Sequence, residues 1–127
     1  NDWSKHKIFS QYLMVPFSMI PSSLSDDAKD KKIYDYGLSI KKGVFEFNNK
    51  YCISPNSLAI SYALCSANSG NAKNIYLAGF DGYDIDDPRG SEMDEMIGIY
   101  QSLHQAVKII SITETKYKIQ ETSVYSF

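Results

Sequence analysis

Three short polar segments of this chain follow apolar runs, and their residue types could contact a small ligand. At residues 54–57 a Ser-Pro pair predicts a helix start, whose free backbone N–H groups could hold an anion. Asp81 to Tyr83 follow the apolar run 74–80, and residues 111–113 end a second run. Ligands bind beyond the carboxyl ends of parallel strands, so we predict one shared cleft. Its predicted ligand-binding residues are Ser54, Asn56, Ser57, Asp81, Tyr83, Arg89, Glu92 and Thr113. The alternative is that Asp81 only shapes a turn and Ser54 only caps a helix.

An acidic stretch follows the second segment and could suggest a metal site. Residues 81–95 hold several carboxylates and a single cation, Arg89. An EF-hand loop counted from Asp84 fails, because Pro88 and Arg89 fall at its fifth and sixth positions. Solvated carboxylates are the favoured interpretation, and we predict no metal site. Arg89 is expected to clamp Asp81 or Glu92 in a bidentate pair, or to bind a ligand phosphate.

The remaining reactive side chains have structural explanations. His104 is placed in the last turn of a predicted helix, where an imidazolium complements the helix dipole. Cys52 and Cys65 show no metal-ligand spacing and are predicted to be buried, inert thiols. The chain has no phosphate-binding glycine loop, dinucleotide fingerprint or nucleophile-elbow motif. We therefore predict no catalytic residue and no cofactor.

The elements before residue 70 are predicted from β-formers and turn residues. Residues 7–15 indicate a strand, and residues 16–32 an irregular crossing with a helical turn near residues 26–31. Residues 36–40 and 44–47 are predicted to pair as a hairpin across Gly43. A helix is predicted from Ser54 to a left-handed stop at Gly70.

The later elements alternate between strands and helices. The run 74–80 predicts a strand covered on both faces, and residues 107–112 predict the next strand. Between them Ser91 is predicted to cap a helix with an apolar stripe at Met93, Met96, Ile97, Tyr100 and Leu103. Residues 115–127 are expected either to add an edge strand or to wrap the surface. This order predicts an α/β fold with the two strands parallel and adjacent in one sheet.

Composition limits the classes of protein. The chain has 127 residues, which predicts a single domain over 1–127. Its net charge is −2, without the positive excess that nucleic-acid binding requires, so no nucleic-acid partner is predicted. No apolar run is long enough to span a membrane and no signal segment opens the chain, so a cytoplasmic protein is expected. The chain begins with Asn1, and we expect it to be excised from the C-terminal end of a longer protein.

Part of the sequence resembles a known family. Residues 74–83 (NIYLAGFDGY), Asp-Asp-Pro-Arg at 86–89 and the pair Glu92-Met93 carry the resemblance. They resemble the C-terminal domain of HMG-CoA-lyase-like, 4-hydroxy-2-oxovalerate aldolase-like proteins of bacterial surface-polysaccharide clusters. The closing residues 111–125 are similar to the same family. The pattern is also similar to Rossmann-like sialyltransferase-like and motility-accessory-factor proteins.

The resemblance implies a Rossmann-like three-layer sandwich with a mostly parallel sheet. It also implies an accessory or ligand-binding domain of a lyase in lipopolysaccharide or capsule biosynthesis, with a parent aldolase domain as partner. A barrel needs about 250 residues, so this piece alone should lack aldolase activity. The implied ligand is a sugar nucleotide or another phosphorylated small molecule. Two alternatives stay open: a glycosyltransferase that holds a divalent metal with Asp84 and Asp86, and a dimerisation or docking scaffold that forms a homo-oligomer.

Overall fold

The computed structural model describes residues 12–23 and 32–126. The predictions for residues 7–11 and for the helical turn at 26–31 lie outside the described residues. The chain divides into two compact units, one ending at Leu38 and the other starting at Ser39. Each unit is described by itself below.

The first unit contains a small parallel sheet. Strand β1 (Leu13–Val15) pairs in parallel with β2 (Ile33–Asp35), and Leu13 lies opposite Ile33. The described part of the strand predicted up to Val15 is therefore confirmed. A 3-10 helix follows at Phe17–Met19, and Asp35 Oδ1 accepts a hydrogen bond of 2.9 Å from the Phe17 backbone N–H.

A three-stranded sheet follows, and the chain enters the second unit within its first strand, β3 (Gly37–Ile40). The other strands are β4 (Glu46–Phe47) and β5 (Tyr51–Ser54), in the order β3-β5-β4. The predicted hairpin is wrong, because β5 lies between the two strands that were expected to pair. Its turn exists nevertheless: Gly43 has a φ of 74°, and Val44 N–H donates to Lys41 O.

Helix α1 (Ala59–Ser69) starts later than the sequence predicts. Ser54 is the last residue of β5 and not a helix cap, and the helix begins after Leu58 without a side-chain cap. The end at Gly70 is confirmed, but Gly70 has a φ of −77°. The left-handed residue is the next one, Asn71, with a φ of 55°.

The second sheet contains the predicted parallel pair. Strands β6 (Ile75–Leu77), β7 (Ile109–Ser111) and β8 (Gln120–Glu121) lie in that order, all parallel. The mixed α/β class, the adjacent parallel strands and the late edge strand are confirmed. The prediction that the first strand is covered on both faces is wrong: β6 is an edge strand among the described residues, and Tyr76 is 45% exposed. The fully buried strand is β7.

Helix α2 (Pro88–Ser102) connects β6 to β7 and supplies much of the core. Its N-cap is Asp87, four residues before the predicted cap Ser91, and Pro88 lies in its first turn. Four members of the predicted apolar stripe are buried, namely Met93, Met96, Ile97 and Tyr100. His104 lies beyond the end of the helix and not in its last turn.

Tyr100 and the two cysteines show how the core accommodates polar atoms. The Tyr100 hydroxyl bonds Asn68 Oδ1 at 3.1 Å and Val107 O at 3.0 Å, and burial raises its pKa to about 12. Cys52 and Cys65 are buried thiols, as predicted. Burial, with a smaller contribution from the neighbouring Cys52, raises the pKa of the Cys65 thiol.

Within the described ranges, no helix has the length and apolar character needed to cross a membrane.

Candidate functional site

The loops that follow β6 and β7 are joined by hydrogen bonds at the carboxyl ends of these strands. Thr113 Oγ1 accepts a bond of 3.0 Å from Gly79 N–H, and Thr115 Oγ1 donates to Phe80 O at 2.7 Å. Lys116 N–H donates to Asp81 O at 2.9 Å. The parallel register puts Leu77 opposite Ser111, so both loops leave the sheet side by side. Thr113, a predicted site residue, therefore holds the two loops together through its hydroxyl group.

Two tyrosines extend this junction toward α2. The Phe80 and Tyr117 ring centroids are 5.1 Å apart, and Tyr83 N–H donates to Tyr117 Oη at 3.3 Å. Burial raises the pKa of Tyr117, and the hydrogen bond from Tyr83 partly offsets this rise. The Tyr117 hydroxyl therefore stays protonated and fixes the backbone at Tyr83.

A cleft of about 330 Å³ opens beside Tyr83, a volume within the usual range of small-ligand sites. We name it the Tyr83 cleft. Its polar lining comes from the start of α2 and from both loops: Tyr83, Asp84, Asp86, Asp87, Ser91, Asp94, Lys116 and Tyr117. A wider depression of about 530 Å³ is lined by Asp81, Glu114, Thr115 and Lys116. Lys116 borders both spaces.

Gly82 allows Lys116 to approach this closely. Its φ of 113° is one that residues with a side chain rarely adopt. A Cβ at this position would lie 3.0 Å from Lys116 Cβ and within 3.3 Å of the next carbons of that side chain. The absence of a side chain at residue 82 thus lets the Lys116 stem pack on the backbone, with its Nζ 3.3 Å from Tyr83 O.

Arg89 forms the bidentate pair that its type predicts, but with a different partner. Its guanidinium donates to both carboxylate oxygens of Asp87, with Nη2 2.6 Å from Oδ2, and not to Asp81 or Glu92. The Arg89 side-chain hydrogen bonds lower the pKa of Asp87 from 3.8 to about 2, and the pair raises the pKa of Arg89. Arg89 Cζ also lies 4.6 Å from the centroid of the Tyr83 ring, at cation–π distance. The Arg89 guanidinium is therefore contacted by the Asp87 carboxylate and by the Tyr83 ring.

The segment after β5 uses its polar groups internally. Ser54 Oγ, which is fully buried, donates to Asn56 O at 2.9 Å. Asn56 Oδ1 accepts from Leu58 N–H at 3.2 Å and from the buried Ser61 hydroxyl at 2.6 Å. Ser57 is exposed. The hydrogen-bonding groups expected to face a ligand here instead hold the turn that leads into α1.

The predicted site residues fall into two groups. Tyr83 lines the Tyr83 cleft, Asp81 lines the adjoining depression, and Arg89 stacks on Tyr83. Asn56 and Glu92 line another cleft, of about 300 Å³, together with Lys42, Glu95 and Met96. The loop junction thus gathers part of the predicted set, and the other part lies around a different cavity.

Lys116, Tyr117 and Asp94 line the Tyr83 cleft and were not predicted. Lys116 and Tyr117 follow the third predicted segment by only a few residues, and that spacing could have indicated them. Asp94 comes directly after Met93, the first residue of the apolar stripe, in the first half of α2. In the part of the chain that the structure describes, no three His, Cys, Asp or Glu side chains gather as a metal site.

Comparisons with protein-family models, with curated proteins and with solved structures found no match for this chain. The resemblance to the aldolase-associated domains stays a prediction.

Proposed function

We propose that the unit starting at Ser39 is a ligand-binding α/β domain, and that its ligand is a sugar nucleotide or a related phosphorylated sugar. The Tyr83 cleft and the depression next to it form the binding site. The domain has an accessory role and does not catalyse a reaction alone. It belongs, in this proposal, to a cytoplasmic bacterial aldolase-like protein of surface-polysaccharide biosynthesis.

The hydrogen-bonded junction of the loops after β6 and β7 is the observation that carries this proposal. Side-chain hydroxyls and backbone groups fix the two loops to each other, from Gly79 to Thr113 and from Asp81 to Lys116. Loops fixed in this way present their remaining polar groups in a defined geometry, which lowers the ordering cost of ligand binding. Such sites occur at the carboxyl ends of parallel strands in open α/β sheets.

The side chains around the junction suit a hydroxyl-rich ligand. Asp81, Asp84 and Asp94 are exposed, and carboxylates accept hydrogen bonds from hydroxyl groups. The rings of Tyr83 and Tyr117 supply an apolar surface beside them, against which a sugar ring can pack. Lys116 supplies a positive charge for a phosphate group.

The Rossmann-like arrangement belongs to the same proposal. Its support is the β6-α2-β7 segment, in which a helix of 15 residues connects two adjacent parallel strands. Such βαβ segments are the repeating unit of Rossmann-like folds. The role as an accessory domain of an aldolase-like protein rests on the sequence resemblance carried by residues 74–93 and 111–125.

Isothermal titration calorimetry with CMP-linked and UDP-linked sugars tests the proposal. The wild-type chain is expected to bind at least one of them, and Asp81→Asn is expected to weaken binding about five- to tenfold through loss of a charge-assisted acceptor. Glu46→Gln, on the exposed part of β4, removes an equal charge away from the site and should leave the affinity unchanged. Absence of heat with both ligands, or equal effects of the two substitutions, would contradict the proposal.

A further inference from the structure

Two cations lie beside the Tyr83 cleft, and they differ in how they are bound. The Arg89 guanidinium is held by both oxygens of Asp87 and covers the Tyr83 ring. The Lys116 ammonium donates to Tyr83 O and is 3.9 Å from the fully exposed Asp84 carboxylate. An exposed ion pair at that distance contributes little, and an ammonium has three donors. The charge of Lys116 is therefore available to an anionic ligand group, whereas the charge of Arg89 is offset at short range by Asp87.

The position of Lys116 depends on the backbone beside it. Its stem packs against Gly82, where a side chain would collide with it. Its backbone N–H is bound to Asp81 O, which fixes the start of the side chain. Lys116 lines both the Tyr83 cleft and the depression, so a ligand in either space would lie beside its side chain.

The surrounding carboxylates limit how much negative charge the ligand can carry. Asp84, Asp86 and Asp94 line the cleft with Lys116, and Asp81 and Glu114 line the depression. Like charges at short range repel, so an anionic group is accommodated only next to Lys116. The rest of the ligand must present hydrogen-bond donors, as hydroxyl groups do.

We propose that Lys116 is the residue that binds the anionic group of the ligand, and that the site takes hydroxyl-rich ligands with one anionic group at that point. Asp87 offsets the charge of Arg89 and so keeps it in reserve, and Arg89 binds a second phosphate strongly once that pair is broken. This inference rests on the proposed function and names the part of the ligand that selects for binding.

Calorimetric titration of the same CMP-linked and UDP-linked sugars into two lysine variants tests the role of Lys116. Lys116→Gln is expected to weaken binding about tenfold, because one charge-assisted hydrogen bond is lost. Lys118→Gln is the matched control, since Lys118 is exposed on the same loop and carries the same charge. It is expected to change the affinity less than twofold.

A second pair of variants tests the reserve role of Arg89. Asp87→Asn keeps the helix cap, because Asn caps as well as Asp does, but it frees Arg89. We expect it to tighten binding of the UDP-linked sugar, which carries two phosphates, about threefold more than Asp86→Asn does. Both substitutions remove one negative charge, so the difference between them reports Arg89 alone.

The outcomes separate the inference from the proposed function. Absence of binding to the wild-type chain overturns both. Binding to the wild type with equal affinities of Lys116→Gln and Lys118→Gln overturns the role of Lys116 and leaves the ligand-binding function standing. Equal effects of Asp87→Asn and Asp86→Asn overturn the reserve role of Arg89.

Discussion

Residues 54–58 lead from the end of β5 to α1, residues 79–84 follow the end of β6, and both segments contain small polar side chains. At the end of β5, the Ser54 hydroxyl donates to the backbone oxygen of Asn56 in the same turn. The side-chain Oδ1 of Asn56 accepts from the Ser61 hydroxyl in the first turn of α1. After β6, the bonds run across to the loop that follows β7. The polar groups of the first segment thus form hydrogen bonds within that segment and with α1. The second segment is held by the loop after β7, and its carboxylates stay exposed. We infer that cross-loop bonding, rather than polar composition, distinguishes the loop that we propose to bind the ligand.

The largest expected effect on stability comes from a substitution that removes hydrogen bonds from the turn between β5 and α1. Asn56→Ala removes the acceptor of Leu58 N–H and of the buried Ser61 hydroxyl, which should lower the free energy of unfolding by about 3 kcal/mol. Ligand affinity should not change. Urea denaturation followed by circular dichroism measures the effect.

Ser57→Ala is the matched control for that turn. Ser57 is exposed, so its substitution should change the free energy of unfolding by less than about 0.5 kcal/mol. A loss with Asn56→Ala no larger than that of the control would show that the turn does not depend on Asn56.

The next effect concerns the loop that supports Lys116. Gly82→Ala combines an unfavourable φ with a close contact to the Lys116 stem, and should cost about 2 kcal/mol of unfolding free energy and weaken ligand binding. Gly98→Ala, in the exposed interior of α2 with open space around it, should instead stabilise by about 0.5–1 kcal/mol. Thermal denaturation of the two variants compares them, and equal melting temperatures would contradict the role given to Gly82.

The smallest effect concerns the exposed Asp87–Arg89 pair. The pKa of Asp87 is depressed from 3.8 to about 2, so its charged form stabilises the fold above the ordinary pKa and loses that effect as the pH falls through about 2. The stability difference between wild type and Asp87→Asn should therefore shrink as the pH falls from 4 to 2. Urea denaturation across that range measures it. A difference that does not depend on pH would argue against the pair.

The sequence was sufficient for features that depend on local periodicity. The stripe from Met93 to Tyr100 follows one helical face, and it is buried as that spacing predicts. The runs that became β6 and β7 are apolar enough to indicate strands, and the helix between them indicates a parallel pair.

Features that depend on competing or distant partners were not predictable. The Ser-Pro pair at residues 54–55 fits a helix cap. The Asn56 side chain instead accepts hydrogen bonds from Leu58 N–H and the Ser61 hydroxyl, and the helix begins at Ala59. The expected hairpin failed because β5, further along the chain, inserts between its strands. Arg89 pairs with Asp87, which is only two residues away, whereas the sequence analysis considered Asp81 and Glu92 as partners.

The central claim is that the ligand binds at the junction of the loops after β6 and β7, and not at the turn after β5. Two-dimensional ¹H–¹⁵N NMR of the labelled chain, titrated with a CMP-linked or UDP-linked sugar, tests it residue by residue. The account predicts saturable shifts for the amides of residues 79–84 and 113–117, with those of residues 56–61 unchanged. Shifts confined to residues 56–61, or no saturable shifts with either ligand, would contradict it.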